Sequence, residues 1–268
     1  MQKIVVVLLL LFFASFLLFP AQGQSPSPLS PLDRSKEDYN FQYLKFRERE
    51  EQYLTAKNSY ISFKTAIAKD EAYTATKSYL FQVDNLYIVL VFLAQEQTNS
   101  LDWRTHGAQK EELGKSLSQE VDFLRDHQKR ASEAKTLEEL SPLGSELKDR
   151  IKNTLERKLN KTIASLEVIE SEDAFEDFNQ ISQILDKIVQ KKISQGRTDT
   201  VLFNWTSEIA DIKNKTTQNL QEARKELEKP KSETLSSGAM ENVTASAKKA
   251  KTELARSKPL FEEILRIL

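Results

Sequence analysis

The chain has 268 residues, no cysteine, six glycines and seven prolines, and 39 basic residues stand against 40 acidic ones. Without cysteine there is no disulfide framework and no thiol nucleophile, so packing must hold the fold. Near-neutral charge lacks the basic excess of a nucleic-acid footprint, so no nucleic-acid partner is expected. So few turn formers disfavour a sandwich of short strands, and abundant Lys, Glu, Leu, Ala and Gln favour long helices.

Residues 1–23 read as an export signal. Lys3 precedes the apolar run Ile4 to Phe19, Pro20 breaks it, and Ala21 and Gly23 are the small residues of a cleavage site after Gly23. The run is slightly short for a span of about 20 apolar residues, and the alternative is an uncleaved signal anchor. No Cys follows the run, which excludes a lipid-anchored lipoprotein. Cleavage would remove one base, Lys3, and no acid, leaving 38 basic and 40 acidic residues. Residues 24–32, rich in Pro and Ser, read as an extended linker. Residues 33–268 form the folded part, with a subdivision near 98–104 or 229–238.

Folding is expected to start near Asp33. A heptad column follows: Tyr39, Phe46, Tyr53, Tyr60, Ile67, Thr74, Phe81, Ile88. A second column, Leu54, Ile61, Ala68, Ala75, runs beside it, and together they make the broad stripe of a core-facing helix. No Pro or Gly lies between Leu32 and Leu101, so one or two very long helices are allowed, with Ala68 to Tyr73 as a candidate break that nothing in the sequence forces. "TAKNSYI" (Thr55 to Ile61) is echoed by "TATKSYL" (Thr74 to Leu80), read as two similar patches on one helix.

Thr98 to Trp103 forms a turn. A helix with Leu113, Leu117, Val121, Leu124 and Ala131 comes next. Thr136 with Glu139 makes a capping box, and Pro142 and Gly144 are expected to interrupt that helix. Another carries Leu147, Ile151, Leu155, Leu159, Leu166 and Ile169. Ser171 is expected to cap the next, which holds Phe175, Phe178, Ile181, Leu185, Ile188 and Ile193. After a turn at Ser194 to Thr200, Leu202, Trp205, Ile209, Ile212, Leu220, Ala223 and Leu227 define a helix ending before Pro230. Lys229 to Gly238 is loop-like. Val243, Ala247, Ala250 and Leu254 mark a final long helix, with a short amphipathic end after Pro259. The expected fold is all-α: an elongated bundle of about six to eight long amphipathic helices with coiled-coil-like packing.

The sequence supplies little chemistry. His106 and His127 fall in no metal-binding spacing, and Asp126 beside His127 does not face it along a helix. No nucleophile elbow or phosphate-binding glycine loop occurs. The acidic stretch Glu167 to Asp177 lacks the glycine and alternating oxygens of a calcium loop, so helix capping is the expected role. No catalytic residue, metal or cofactor is expected. The sequons at Asn160, Asn204, Asn214 and Asn242 would be glycan sites in a eukaryotic secretory route.

One stretch stands apart. "LYIVLVFLA", Leu86 to Ala94, is nine apolar residues in a row and covers roughly 13–14 Å of helix, about half a hydrocarbon core. Three readings follow from it: a helix buried where others converge, a concealed membrane-inserting element, or an apolar ligand site. The last would be lined by Tyr79, Phe81, Tyr87 and Phe92, with Asp84 and Asn85 as polar anchors. The expectation is an exported, non-enzymatic cell-envelope scaffold or interaction module, with a protein partner or self-association as its mode. The alternative is membrane or apolar-ligand contact, through an uncleaved signal anchor or through residues 86–94.

Overall fold

The computed structural model describes residues 29–101, 103, 106–195, 200–229 and 234–267. The expected export signal at 1–23 and most of the expected linker at 24–32 lie outside the described residues. Among the described residues the fold is all-α, with long helices packed together and no strand.

Helix α1 (Pro31–Phe63) starts two residues inside the stretch read as linker. Ser30 is its N-cap and accepts from the Asp33 amide at 3.1 Å, while the Ser30 hydroxyl donates to the Asp33 carboxylate at 2.7 Å. Pro31 at the first helical position has the fixed φ a helix start needs. Helix α2 (Ala66–Ser100) follows after two residues. Lys64 adopts left-handed backbone (φ 50°), with its N–H on the Tyr60 carbonyl, and Thr65 caps α2 by accepting from the Ala68 amide.

This turn corrects three expectations. The break falls at Lys64–Thr65, not at Ala68 to Tyr73. The heptad column is continuous in sequence but folds back on itself, so Tyr39 and Phe46 are buried whereas Ile67 and Phe81 are exposed, as are Leu54 and Ile61 of the second column. The two echoed heptapeptides lie on opposite arms of an antiparallel hairpin rather than on one helix.

Helix α3 (Gly107–Glu133) packs on α2, and helix α4 (Leu137–Arg150) contacts both. Thr136 caps α4 as expected, its Oγ1 accepting from the Glu139 amide, but the Glu139 carboxylate accepts from the amide of Lys135, one residue before the cap, instead of from Thr136 itself. Pro142 and Gly144 do not interrupt α4. Pro142 removes the donor that would meet the Glu138 carbonyl, but both residues lie on the exposed face, where water can serve that group. Gly144 faces α2, where a Cβ would sit 3.6 Å from Leu80 Cδ2.

The helical path continues through a π turn (Ile151–Leu155) into helix α5 (Glu156–Ser194), whose 39 residues span roughly 58 Å at 1.5 Å per residue. Ser171 therefore does not start a helix. It is buried inside α5, donating to the Glu167 carbonyl at 2.6 Å and to Ala247 across the helix interface at 3.4 Å. Helices α6 (Thr200–Glu228), α7 (Ser237–Ala255) and α8 (Ser257–Ile267) complete the chain.

Three apolar clusters organise these elements. The first joins Phe46, Val91, Leu117, Leu124, Leu140 and Leu155 from α1 to the π turn. The second holds Val168, Ala223, Leu227, Val243 and Ala247, and the third Phe178, Leu185, Trp205, Ile212, Leu254 and Ile264. On α5 the buried stripe runs through Phe178, Ser182, Leu185 and Val189, so Ile181 and Ile193, expected in the core, are exposed instead.

Candidate functional site

The apolar run resolves mostly as core. Leu86, Tyr87, Ile88, Val91, Leu93 and Ala94 are buried, Val89 and Leu90 half-buried, and Phe92 faces outward. The residues considered as lining an apolar site diverge. Tyr79 stacks on Tyr53 with ring centroids 4.7 Å apart, Phe81 and Phe92 are exposed, and Asn85 accepts from the Gln128 side chain at 2.7 Å. Asp84 points inward.

Asp84 and His127 are fully buried and meet across α2 and α3, with His127 Nδ1 2.7 Å from Asp84 Oδ2. The other ring nitrogen, Nε2, lies 3.2 Å from the Leu143 carbonyl on α4. A carbonyl only accepts, so Nε2 carries a proton, and the remaining proton is shared between Nδ1 and the carboxylate. Either way the pair is neutral overall, which is how two titratable groups can sit in an apolar interior. Burial pushes the Asp84 carboxyl above its ordinary range, while the His127 hydrogen bond pulls it back. With both side chains sealed from solvent, this arrangement ties three helices together and presents nothing to a substrate.

A second ionic cluster sits at the π turn. The Glu120 carboxylate, fully buried on α3, takes two hydrogen bonds from Arg150, at 2.8 and 2.7 Å. Lys158 approaches the same carboxylate at 2.9 Å from α5. Arg150 precedes the π turn and Lys158 follows it, so the turn sets the phase that lets both cations reach one acid. The Arg150 guanidinium also covers the Phe123 ring at 4.8 Å.

The acidic stretch at Glu167 to Asp177 is a set of interhelical ion pairs, not a cap. Lys251 of α7 bridges Glu167 and Glu170, and Arg224 of α6 forks onto Glu172, which His106 also approaches at 3.4 Å. Beside this fork is an open groove of about 630 Å³ between α5 and α6. Phe175 and Leu220 are among its apolar lining residues, and Glu172, Arg224, Lys225 and Lys229 among its charged ones. Among the described residues, no three His, Asp or Glu converge as a metal site. No known protein family, curated protein or solved structure gives a significant match to the chain.

Asn160 is separated from the other three sequons by its surroundings. It is buried, donating to the Leu235 carbonyl at 3.3 Å and to Ser237 at 3.4 Å, so a glycan there is incompatible with this packing. Asn204, Asn214 and Asn242 are exposed.

What sequence reasoning missed is long-range pairing. Asp84 stood out as an acid at the edge of an apolar run, and His127 falls between Leu124 and Ala131 at core spacing. Their 43-residue separation hides the bond between them.

Proposed function

We propose that this is an exported, non-enzymatic helical-bundle protein that works by contact, as a cell-envelope scaffold or protein-interaction module. The observation that carries this reading is the economy of α1. Over 33 residues it buries only Tyr39 and Phe46, and it packs chiefly on α2. Its outward face carries Phe41 and Leu44, three residues apart and both exposed, so an amphipathic partner helix could lie along it. The buried ionisable side chains pair with one another, Asp84 with His127 and Glu120 with Lys158, which favours a binding role over a catalytic one.

Sedimentation equilibrium of the mature chain over a concentration series, with Phe41→Glu/Leu44→Glu as control, tests the contact. Self-association abolished by the double variant supports the reading. A strict monomer that also binds no envelope component overturns it, and recovery of the chain from the cytoplasmic fraction removes the export half.

A second reading rests on α2, which is long and apolar enough to cross a membrane by length and composition. More than half of that stretch is buried inside the bundle, at 56%, so membrane contact through Leu86–Ala94 would require the bundle to open. Val91→Asp discriminates: loss of folding fits a core role, and a folded protein with lost lipid binding fits the second reading.

A further inference from the structure

The turn of the α1–α2 hairpin has a composition unlike the rest of residues 33–268. From Gln52 to Lys69 there is no acid, in a protein with 40 of them, while Lys57, Lys64 and Lys69 are basic. Residues 61–67 are all exposed, including the large apolar side chains of Ile61 (58%), Phe63 (72%) and Ile67 (73%). Leu54 continues the patch two turns back at 48%. None of these residues serves a core: the hairpin closes on Tyr39, Phe46, Ala68 and Ala72 instead.

The tip is also held in place. The Lys64 N–H bonds to the Tyr60 carbonyl at 3.0 Å, and Thr65 caps α2, so the backbone that carries the apolar side chains has its turn geometry before any binding. Lys69 is engaged by Glu138 at 2.7 Å. The charge offered outward is therefore that of Lys57 and Lys64.

We propose that the Ile61–Ile67 tip is a docking site for an anionic lipid bilayer surface, reached independently of any protein contact on α1. Phe63, Ile67 and Ile61 enter the boundary between headgroups and acyl chains, and Lys57 and Lys64 engage lipid phosphates. The dimensions agree. Along α1, Lys57 lies six residues behind Phe63, roughly 9 Å at 1.5 Å per residue, and interfacial elements insert about 5–10 Å. Tyr60 falls between them, at the level where an amphipathic ring suits the headgroups. Lys64, at the turn itself, keeps insertion shallow, because a lysine stem lies against apolar surface while its ammonium stays with the phosphates. The absence of acids across these 18 residues is what favours a lipid surface over a protein, and Glu138, which α4 brings up to the tip, is matched by Lys69 and so adds no net negative charge to repel anionic headgroups.

The test uses the full chain and a local readout, because residues 4–19 could themselves bind lipid. Phe63→Trp is mixed with vesicles of phosphatidylglycerol and phosphatidylcholine that carry brominated acyl chains, with the parent protein giving the background from Trp103 and Trp205. Quenching of the new tryptophan on anionic vesicles, weakened about fivefold for each of Lys57→Glu and Lys64→Glu and by high salt, is the expected result. Ile61→Ser/Ile67→Ser should lower vesicle affinity about tenfold or more while leaving the circular dichroism spectrum and Tm unchanged. No quenching on anionic vesicles overturns the proposal, as does quenching insensitive to the lysine changes. Tip variants that alter self-association without any lipid signal also overturn it and assign the tip to a protein contact.

Discussion

At the scale of single residues, the buried Asp84–His127 pair makes the sharpest demand on the fold. Removing one partner strands the other: in His127→Ala, Asp84 is left with neither of its carboxylate oxygens bonded, since Oδ1 already has no partner among the described residues. Breaking a buried pair in this way costs about 3–5 kcal/mol, whereas replacing both partners with apolar groups of similar volume is often close to neutral. His127→Leu, which removes the same bond, should therefore lower stability by about that amount, and Asp84→Leu/His127→Leu by much less than Asp84→Leu and His127→Leu added together. Urea denaturation of the four corners of this cycle checks it, and a purely additive result would show that the pair is uncoupled. The sequence made Asp84 conspicuous but not its role, because a residue's partner across a helix interface leaves no local trace. The same holds for Glu120, whose two cations lie 30 and 38 positions further along the chain.

Among the elements, periodicity located nearly every helix, and the errors concentrate where a helix was assumed to need a Gly, Pro or cap to end. The hairpin turn has none of the expected signals except Thr65, because Lys64 takes the left-handed position that Gly or Asn usually occupies. A non-glycine residue there costs about 1 kcal/mol, so Lys64→Gly should raise stability by up to about that amount, read as a higher Tm. The π turn was half-visible: Leu147, Ile151, Leu155 and Leu159 are all buried at three successive steps of four. On a pure α-helix such steps drift by 40° each, and the wider turn absorbs that drift. Electrostatics ties α3 to α4 through Arg130, which forks onto Glu146 at 2.8 and 2.9 Å and holds that carboxyl below its ordinary range. A lowered folded pKa means that the contribution is present above the unfolded value of about 4 and is lost as pH falls through the folded one. Glu146→Gln should thus lower Tm slightly at pH 7, the pair being partly exposed, and the deficit should shrink as pH falls below the unfolded value and disappear once the folded carboxyl is protonated.

For the whole molecule, the three clusters make a structure whose parts differ in how firmly they are held. The centre of α2 belongs to the largest cluster and is locked by Asp84 to His127, while α5 runs past the other two and joins them to the first. The partition was not legible from helix lengths, because α5 looked like two helices and its continuity is what links the halves. At the other extreme, α1 leans chiefly on α2 and contributes two buried residues. Local opening free energies follow buried apolar contact, and elements used for binding tend to come from the weakly held end of that range. Hydrogen exchange should therefore order the chain: α1 amides exchange first, those of α6 and α7 follow, and Val83 to Leu93 exchange only on global unfolding. Mass spectrometry of the folded protein over a time course reads this directly. Protection of α1 equal to that of α2 would mean that the outward face of α1 is already covered, as a dimer through Phe41 and Leu44 would cover it. Repeating the exchange with Phe41→Glu/Leu44→Glu separates the two cases, because only a dimer loses that protection when the face is charged.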